Sequence, residues 1–150
     1  MPKPLRFVSW AAVSSLPQAK KISLEDQARL NREHVDRWGG MLAHELVVPG
    51  ESRSIILWED ACRRIGAYQE LNSLIAAKSF DILIFFDRSR LGRKASLSMA
   101  VVELCRDAGI GIYEVDNPPS SLADILGPSS YDSQLLGAIK SVGTHETKTK

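Results

Sequence analysis

Residues 82–86 read Ile-Leu-Ile-Phe-Phe, five apolar side chains in a row with no polar alternation. Successive side chains of a β-strand point to opposite faces, so a strand of this composition is at home only where both faces are covered. That is the situation of a strand in a parallel sheet with helices on either side.

The rest of the chain alternates in the way such a sheet requires. "LRFVSWAAV" (5–13) is rich in aromatic and β-branched residues and runs into Ser-Ser-Leu-Pro, which predicts a strand followed by a loop. The segment 22–40 then predicts a helix: Ser23 is placed to cap it, Glu25 and Asp26 fall in the first turn, and Gly39-Gly40 stop it. "MLAHELVVP" (41–49) predicts a second strand, and 63–80 contains a helical pattern with Tyr68, Leu71, Leu74 and Ile75 on one face. After the strand at 81–86, residues 95–109 predict a helix closed by Gly109, and "IGIYEV" (110–115) another strand. The βαβαβαβ order predicts an α/β fold, a three-layer αβα domain with a mostly parallel central sheet. Ligand sites in such domains lie at the carboxyl ends of the strands. Beyond Asn117-Pro118-Pro119 the order weakens, and a last helix is expected from about Tyr131, fading into a polar tail.

A chain of 150 residues with 44% hydrophobic content fits one domain that needs no disulfide or metal staple. Cys62 and Cys105 stand alone, outside any CxxC spacing, and His34, His44 and His145 are scattered, so no metal site is expected. The tryptophans Trp10, Trp38 and Trp58 read as packing residues. The apolar part of the first 20 residues is too short for a signal peptide or membrane span, which points to a cytoplasmic protein.

With 19 basic and 18 acidic residues the net charge is only +1, so any anionic partner must be met by a local cluster. One exists: Arg88, Arg90, Arg93 and Lys94 fall in seven residues between a predicted strand and a predicted helix. Such a turn is either a phosphate site, with guanidinium forks and a helix N-terminus, or a solvated turn paired with neighbouring acids. In both cases the cations are expected to face solvent or an anion, because an isolated buried charge is strongly disfavoured. Ser14 and Ser15 end the first strand at the same predicted sheet edge, which places a hydroxyl nucleophile beside the arginines.

Together these pieces resemble the catalytic domain of the serine recombinases, the family of resolvases, invertases and large serine integrases. The family opens with a strand ending in Tyr-x-Arg-Val-Ser, then a loop and Ser-Leu-x-x-Gln; "WAAVSS" (10–15) and "SLEDQ" (23–27) stand here in that order. Its later signature, Asp-Arg-Leu-x-Arg, is matched by Ser89-Arg90-Leu91-Gly92-Arg93, and an Asp-Arg-x-Gly pattern is echoed by Arg63-Arg64-Ile65-Gly66. "QLLGAIKSVGTHE" (134–146) looks like the start of the long helix that follows the catalytic core in that family.

The resemblance implies a resolvase-like catalytic domain over 1–130, with 131–150 as the start of the following helix and a polar tail. It implies site-specific DNA recombination through a covalent 5′-phosphoserine intermediate. Ser14 falls on the family nucleophile, Arg64, Arg90 and Arg93 on arginines that hold the scissile phosphate, and Gln27 on the active-site glutamine. Double-stranded DNA is the implied partner, with dimers and tetramers in the full-length protein and no cofactor, membrane or small-molecule substrate. A family DNA-binding region is expected to lie outside this sequence. Two positions depart from the pattern: Ala12 stands where the family has arginine, and Ser89 where it has aspartate. Arg88, Arg63 and Asp87 are the residues at hand to compensate, Asp87 as a substitute acid or as a cap of the turn. The alternative is a degenerate, catalytically impaired domain with a DNA-binding or assembly role. A nucleotide-binding α/β domain is disfavoured because neither GxGxxG nor GxxxxGK[ST] occurs.

Overall fold

A computed structural model describes residues 4–13, 21–48, 57–92 and 94–121. Strand β1 (Arg6–Ala12) buries every residue after Arg6, as its composition requires. Helix α1 (Leu24–Arg37) is capped by Ser23, whose Oγ accepts a hydrogen bond from the Asp26 amide at 3.0 Å. Glu25 and Asp26 at its start, and Arg37 at its end, match the sign of the helix dipole. Gly39, at φ +68°, takes the left-handed turn that brings the chain into β2 (Met41–Val48).

The helix that the sequence predicts within 63–80 forms, and a short one that it does not predict precedes it. Helix α2 (Trp58–Arg64) ends at Ile65, an extended residue with φ −129° and ψ 118°, and α3 (Gly66–Ala77) starts directly after it. The short α2 has no side-chain cap to announce it; its trace in the sequence is charge order, Glu59 and Asp60 first, Arg63 and Arg64 last. Strand β3 (Ile82–Phe85) follows, wholly buried. A single 3-10 turn, Arg88–Arg90, then leads toward α4 (Ala95–Asp107) and β4 (Gly111–Glu114).

The four strands form one sheet in the order β2-β1-β3-β4, and each neighbouring pair is parallel. Alternate side chains build two cores, one on each face. Val8, Trp10, Ala12, Leu83, Phe85 and Ile112 pack with residues of α2, α3 and α4. Phe7, Ile82, Ile84, Phe86 and Tyr113 pack with Val35, Leu30 and Trp38 of α1 and its C-terminal turn. The layers are therefore α1, the sheet, and the other three helices, so the α/β class read from the sequence holds. At the amino end of the sheet, Asp81 fixes the start of β1 against β3: Oδ2 accepts from the Arg6 amide at 2.8 Å, and the two oxygens accept from the Arg6 guanidinium at 3.2 Å each. Among the described residues no helix is long and apolar enough to cross a membrane. Ser14, Ser15, Arg93 and the helix expected from Tyr131 lie outside the described residues.

Candidate active site

The strand order has a direct consequence for where a ligand fits. From β1 the chain crosses to β2 on one side, and from β3 it crosses to β4 on the other, so the carboxyl ends of β1 and β3 flank a topological switch point. Ala12 ends β1 there, two residues before Ser14, and Asp87 follows β3.

Two side chains converge on the backbone of Ala12. Gln27 is fully buried on the first turn of α1; its Oε1 accepts from the Ala12 amide at 3.2 Å, and its Nε2 donates to the carbonyls of Ala12 and Ile22 at 2.9 and 3.2 Å. From the opposite side of the switch point, Arg90 Nη1 donates to the same Ala12 carbonyl at 3.2 Å. The strand end that leads to Ser14 is thus gripped by two of the residues that the motif comparison singles out.

Arg90 corrects the expectation that the cations of this turn all face solvent or a bound anion, for its residue exposure is only 2%. Its charge is tolerated because several groups share it: the Ala12 carbonyl, the Asp87 carboxylate with Oδ1 3.6 Å from Nε, and the face of Phe86, whose ring centre lies 5.4 Å from the guanidinium carbon. Asp87 does two jobs. Its Oδ1 also caps the 3-10 turn, accepting from the Ser89 amide at 3.0 Å and the Ser89 hydroxyl at 2.6 Å.

The backbone of the basic turn is held as well. Trp10 Nε1 donates to the carbonyl of Arg90, and the Tyr68 hydroxyl to the carbonyl of Leu91, both at 2.7 Å. Gly92 completes the fit: a Cβ there would lie 2.7 Å from Leu97 Cγ, so the turn packs on α4 at a distance that only glycine permits. Trp10 reads as a packing residue in sequence and Tyr68 as one member of a helix face; each also carries a polar atom that a buried site must satisfy, the signal that marks them.

The remaining candidate residues are placed differently. Arg88 turns toward β4, its Nε 3.9 Å from Glu114 Oε1. Burial pushes the Glu114 carboxyl above the usual carboxylate range, and Arg88 pulls it the other way. Arg63 makes an exposed ion pair with Asp60 one turn back on α2. Arg64 is exposed at the end of α2, joined through Ile65 to the helix that carries Tyr68.

No family model matches the sequence, and no curated protein matches it. Solved structures do. The N-terminal catalytic domain of TP901-1 integrase superposes with a TM-score of 0.66 and 16% identity, over 94% of this chain and 95% of that one. A resolvase family site-specific recombinase from Streptococcus pneumoniae gives 0.60 and 18%, over 92% and 87%. The C-terminal catalytic domain of ISC1926 TnpA, an IS607-like serine recombinase, gives 0.59 and 21%, over 92% and 83%. The chain has the fold of a serine recombinase catalytic domain.

Set in the recombinase fold, the two departures acquire a geometry. The methyl group of Ala12 is buried in the core beneath α2 to α4, and among the described residues Arg90 brings a cation to the Ala12 carbonyl. Of the residues at hand to compensate, Arg88 lies 3.9 Å from Glu114 through Nε, and Asp87 lies 3.6 Å from Arg90. Ser89 supplies no carboxylate, but its hydroxyl and amide anchor Asp87, whose oxygen faces the Arg90 guanidinium.

Proposed function

We propose that this chain is the catalytic domain of a site-specific DNA recombinase. The observation that carries the reading is the convergence of Gln27 and Arg90 on Ala12, at the switch point and two residues before Ser14. The recombinase fold adds to it. In this reading Ser14 Oγ attacks a DNA phosphodiester, an Oγ–P bond forms, the P–O3′ bond breaks, and the proton lost by the serine ends on the departing 3′ oxygen. The product is a 5′-phosphoserine link and a free 3′ hydroxyl; the phosphodiester energy is kept in the new link, so rejoining needs no nucleotide. Arg64 and Arg93, joined by Arg90 when its contacts to Ala12 and Asp87 yield to the phosphate, stabilise charge on the non-bridging oxygens, the service that phosphoryl transfer requires most of a protein. Double-stranded DNA is the substrate, dimers and tetramers of the full-length protein are the working assembly, and the compartment is the cytoplasm.

The test is incubation of the full-length protein with a supercoiled plasmid library of genomic fragments, quenched with detergent. Covalent protein–DNA adducts with extendable 3′ ends are expected, and Ser14→Ala is expected to abolish them. Adducts that persist in Ser14→Ala would refute the assignment.

A second reading is an impaired domain that retains DNA binding or assembly without cleavage. The buried methyl group of Ala12 favours it, since no side-chain charge is delivered from β1. Loss of one charge-assisted contact of this kind costs roughly a hundredfold to a thousandfold in rate. Retained DNA binding without any adduct would support it.

A further inference from the structure

Three described segments border the proposed site: the end of β1, which Ser14 follows in sequence, the α2–α3 junction beside Arg64, and the basic turn after β3. A pair of buried aromatic side chains lies where they meet. Trp10 is on β1, two residues before Ala12; Tyr68 is on the first turn of α3, four residues after Arg64. Their rings pack edge to face with centres 4.9 Å apart, and each donates its only polar hydrogen to the basic turn, Trp10 to the carbonyl of Arg90 and Tyr68 to that of Leu91, both at 2.7 Å. Trp58 of α2 packs on the far side of Tyr68, with ring centres 5.9 Å apart, so α2 joins the same stack.

We propose that Trp10 and Tyr68 are positioning residues that lock the basic turn to β1 and to the α2–α3 junction, so that these three described segments move as one body. The inference rests on the recombinase reading for its catalytic consequence, but its physical content is independent of it. Two consecutive carbonyls of a one-turn 3-10 segment have few ladder partners of their own, and a turn held by side-chain donors opens when those donors are removed. Burial pushes the Tyr68 phenol well above its ordinary range, which keeps its hydrogen on the oxygen as the donor the geometry requires. The pair acts through Arg90 and Leu91 and touches no substrate.

The test uses the full-length chain with Tyr68→Phe and Trp10→Phe, which keep a ring and delete the donor. Tyr113→Phe, a hydroxyl deletion in the core on the opposite face of the sheet, is the control. Amide hydrogen exchange is followed on a peptide covering 88–92. Roughly fivefold to tenfold faster exchange there is expected in the first two variants, the loss of one net hydrogen bond, with no change in the control. On plasmid DNA, the adduct rate at saturating DNA is expected to fall by a similar factor while the half-saturating DNA concentration stays constant. Unchanged exchange at 88–92 in Tyr68→Phe overturns the clamp whether or not Trp10→Phe folds. Faster exchange with an unchanged adduct rate overturns the positioning role. A wild-type chain that forms no adduct refutes the recombinase reading, while the exchange result still decides the clamp.

Discussion

Gln27 and Arg90 donate to one acceptor, the carbonyl oxygen of Ala12, at 2.9 and 3.2 Å. They come from different elements, α1 and the 3-10 turn after β3, and close over the strand end from two sides. With one of them deleted the carbonyl keeps the donor of the other; with both deleted it keeps neither. Gln27→Ala and Arg90→Ala are therefore expected to be more than additive. The double variant should lose stability beyond the sum of the singles by about 1 kcal/mol or more, the cost of a buried acceptor left without these donors. Urea unfolding of the four proteins of the cycle measures it, and simple additivity would mean that the shared acceptor carries no weight.

Arg88 and Arg90 are two residues apart in sequence yet face different neighbours, which separates their expected phenotypes. Replacing Arg90 by alanine should cut adduct formation by roughly a hundredfold to a thousandfold. Replacing Arg88 by glutamine removes the cation that lowers the Glu114 carboxyl, so that group should titrate at still higher pH. Carbon-detected NMR of the Glu114 side chain reads the direction directly. A downward shift would contradict the geometry.

How much of this was legible in the sequence depends on how local each feature is. The apolar run at 82–86 and the Ser23 cap are short-range signals, and β3 and α1 appear where they point. Helix α2 escaped because it is seven residues long and lacks a side-chain cap; the helical pattern at 63–80 fits α3 alone. The burial of Arg90 escaped for a different reason. A charge is expected outside unless its partners are known, and here those partners are a carbonyl 78 positions away and a ring face as well as the nearby Asp87. The Tyr68 bond to Leu91 spans 23 positions and the Trp10 bond to Arg90 spans 80, distances that no periodicity encodes. The motif resemblance placed Gln27 and Arg90 in one site without showing that they meet at Ala12.

Gly92 offers a test of how tightly the basic turn sits on α4. Gly92→Ala forces a methyl group to within 2.7 Å of Leu97 Cγ unless one of them moves. Overpacking of this kind costs about 1–3 kcal/mol. Leu97→Ala removes Cγ and Cδ2 but keeps Cβ, 2.8 Å from the added methyl group, and leaves a cavity in the core, a loss of about 2–5 kcal/mol by itself. In the double variant the clash with Cγ and Cδ2 is gone and the cavity gives the Cβ contact room to relax, so the added loss from Gly92→Ala should be smaller than in the wild-type background. An undiminished additional loss would show that the outer atoms of Leu97 are not what requires the glycine.

On the other face of the sheet a buried histidine ties stability to pH. His34 Nδ1 lies 2.7 Å from the Tyr113 hydroxyl, and that hydroxyl also accepts from Trp38 Nε1 at 2.8 Å. In the tautomer with Nδ1 unprotonated, the phenol hydrogen is donated to it. Burial, aided by Arg37, pushes the His34 pKa below its ordinary value, while Glu33 pulls weakly the other way. Below the unfolded pKa near 6.5 the unfolded chain takes up a proton that the native imidazole resists, so stability is complete above about pH 6.5 and falls with pH below it. Glu114, raised by burial, contributes a slope of the opposite sign in weakly acidic solution, since its unfolded form ionises first. The informative quantity is therefore the difference between the wild type and His34→Gln. Between pH 7 and pH 5 the wild-type urea midpoint should fall relative to that of His34→Gln, whose amide can still accept from Tyr113 and does not titrate. Parallel profiles for the two proteins would mean that His34 titrates alike in the folded and unfolded chains.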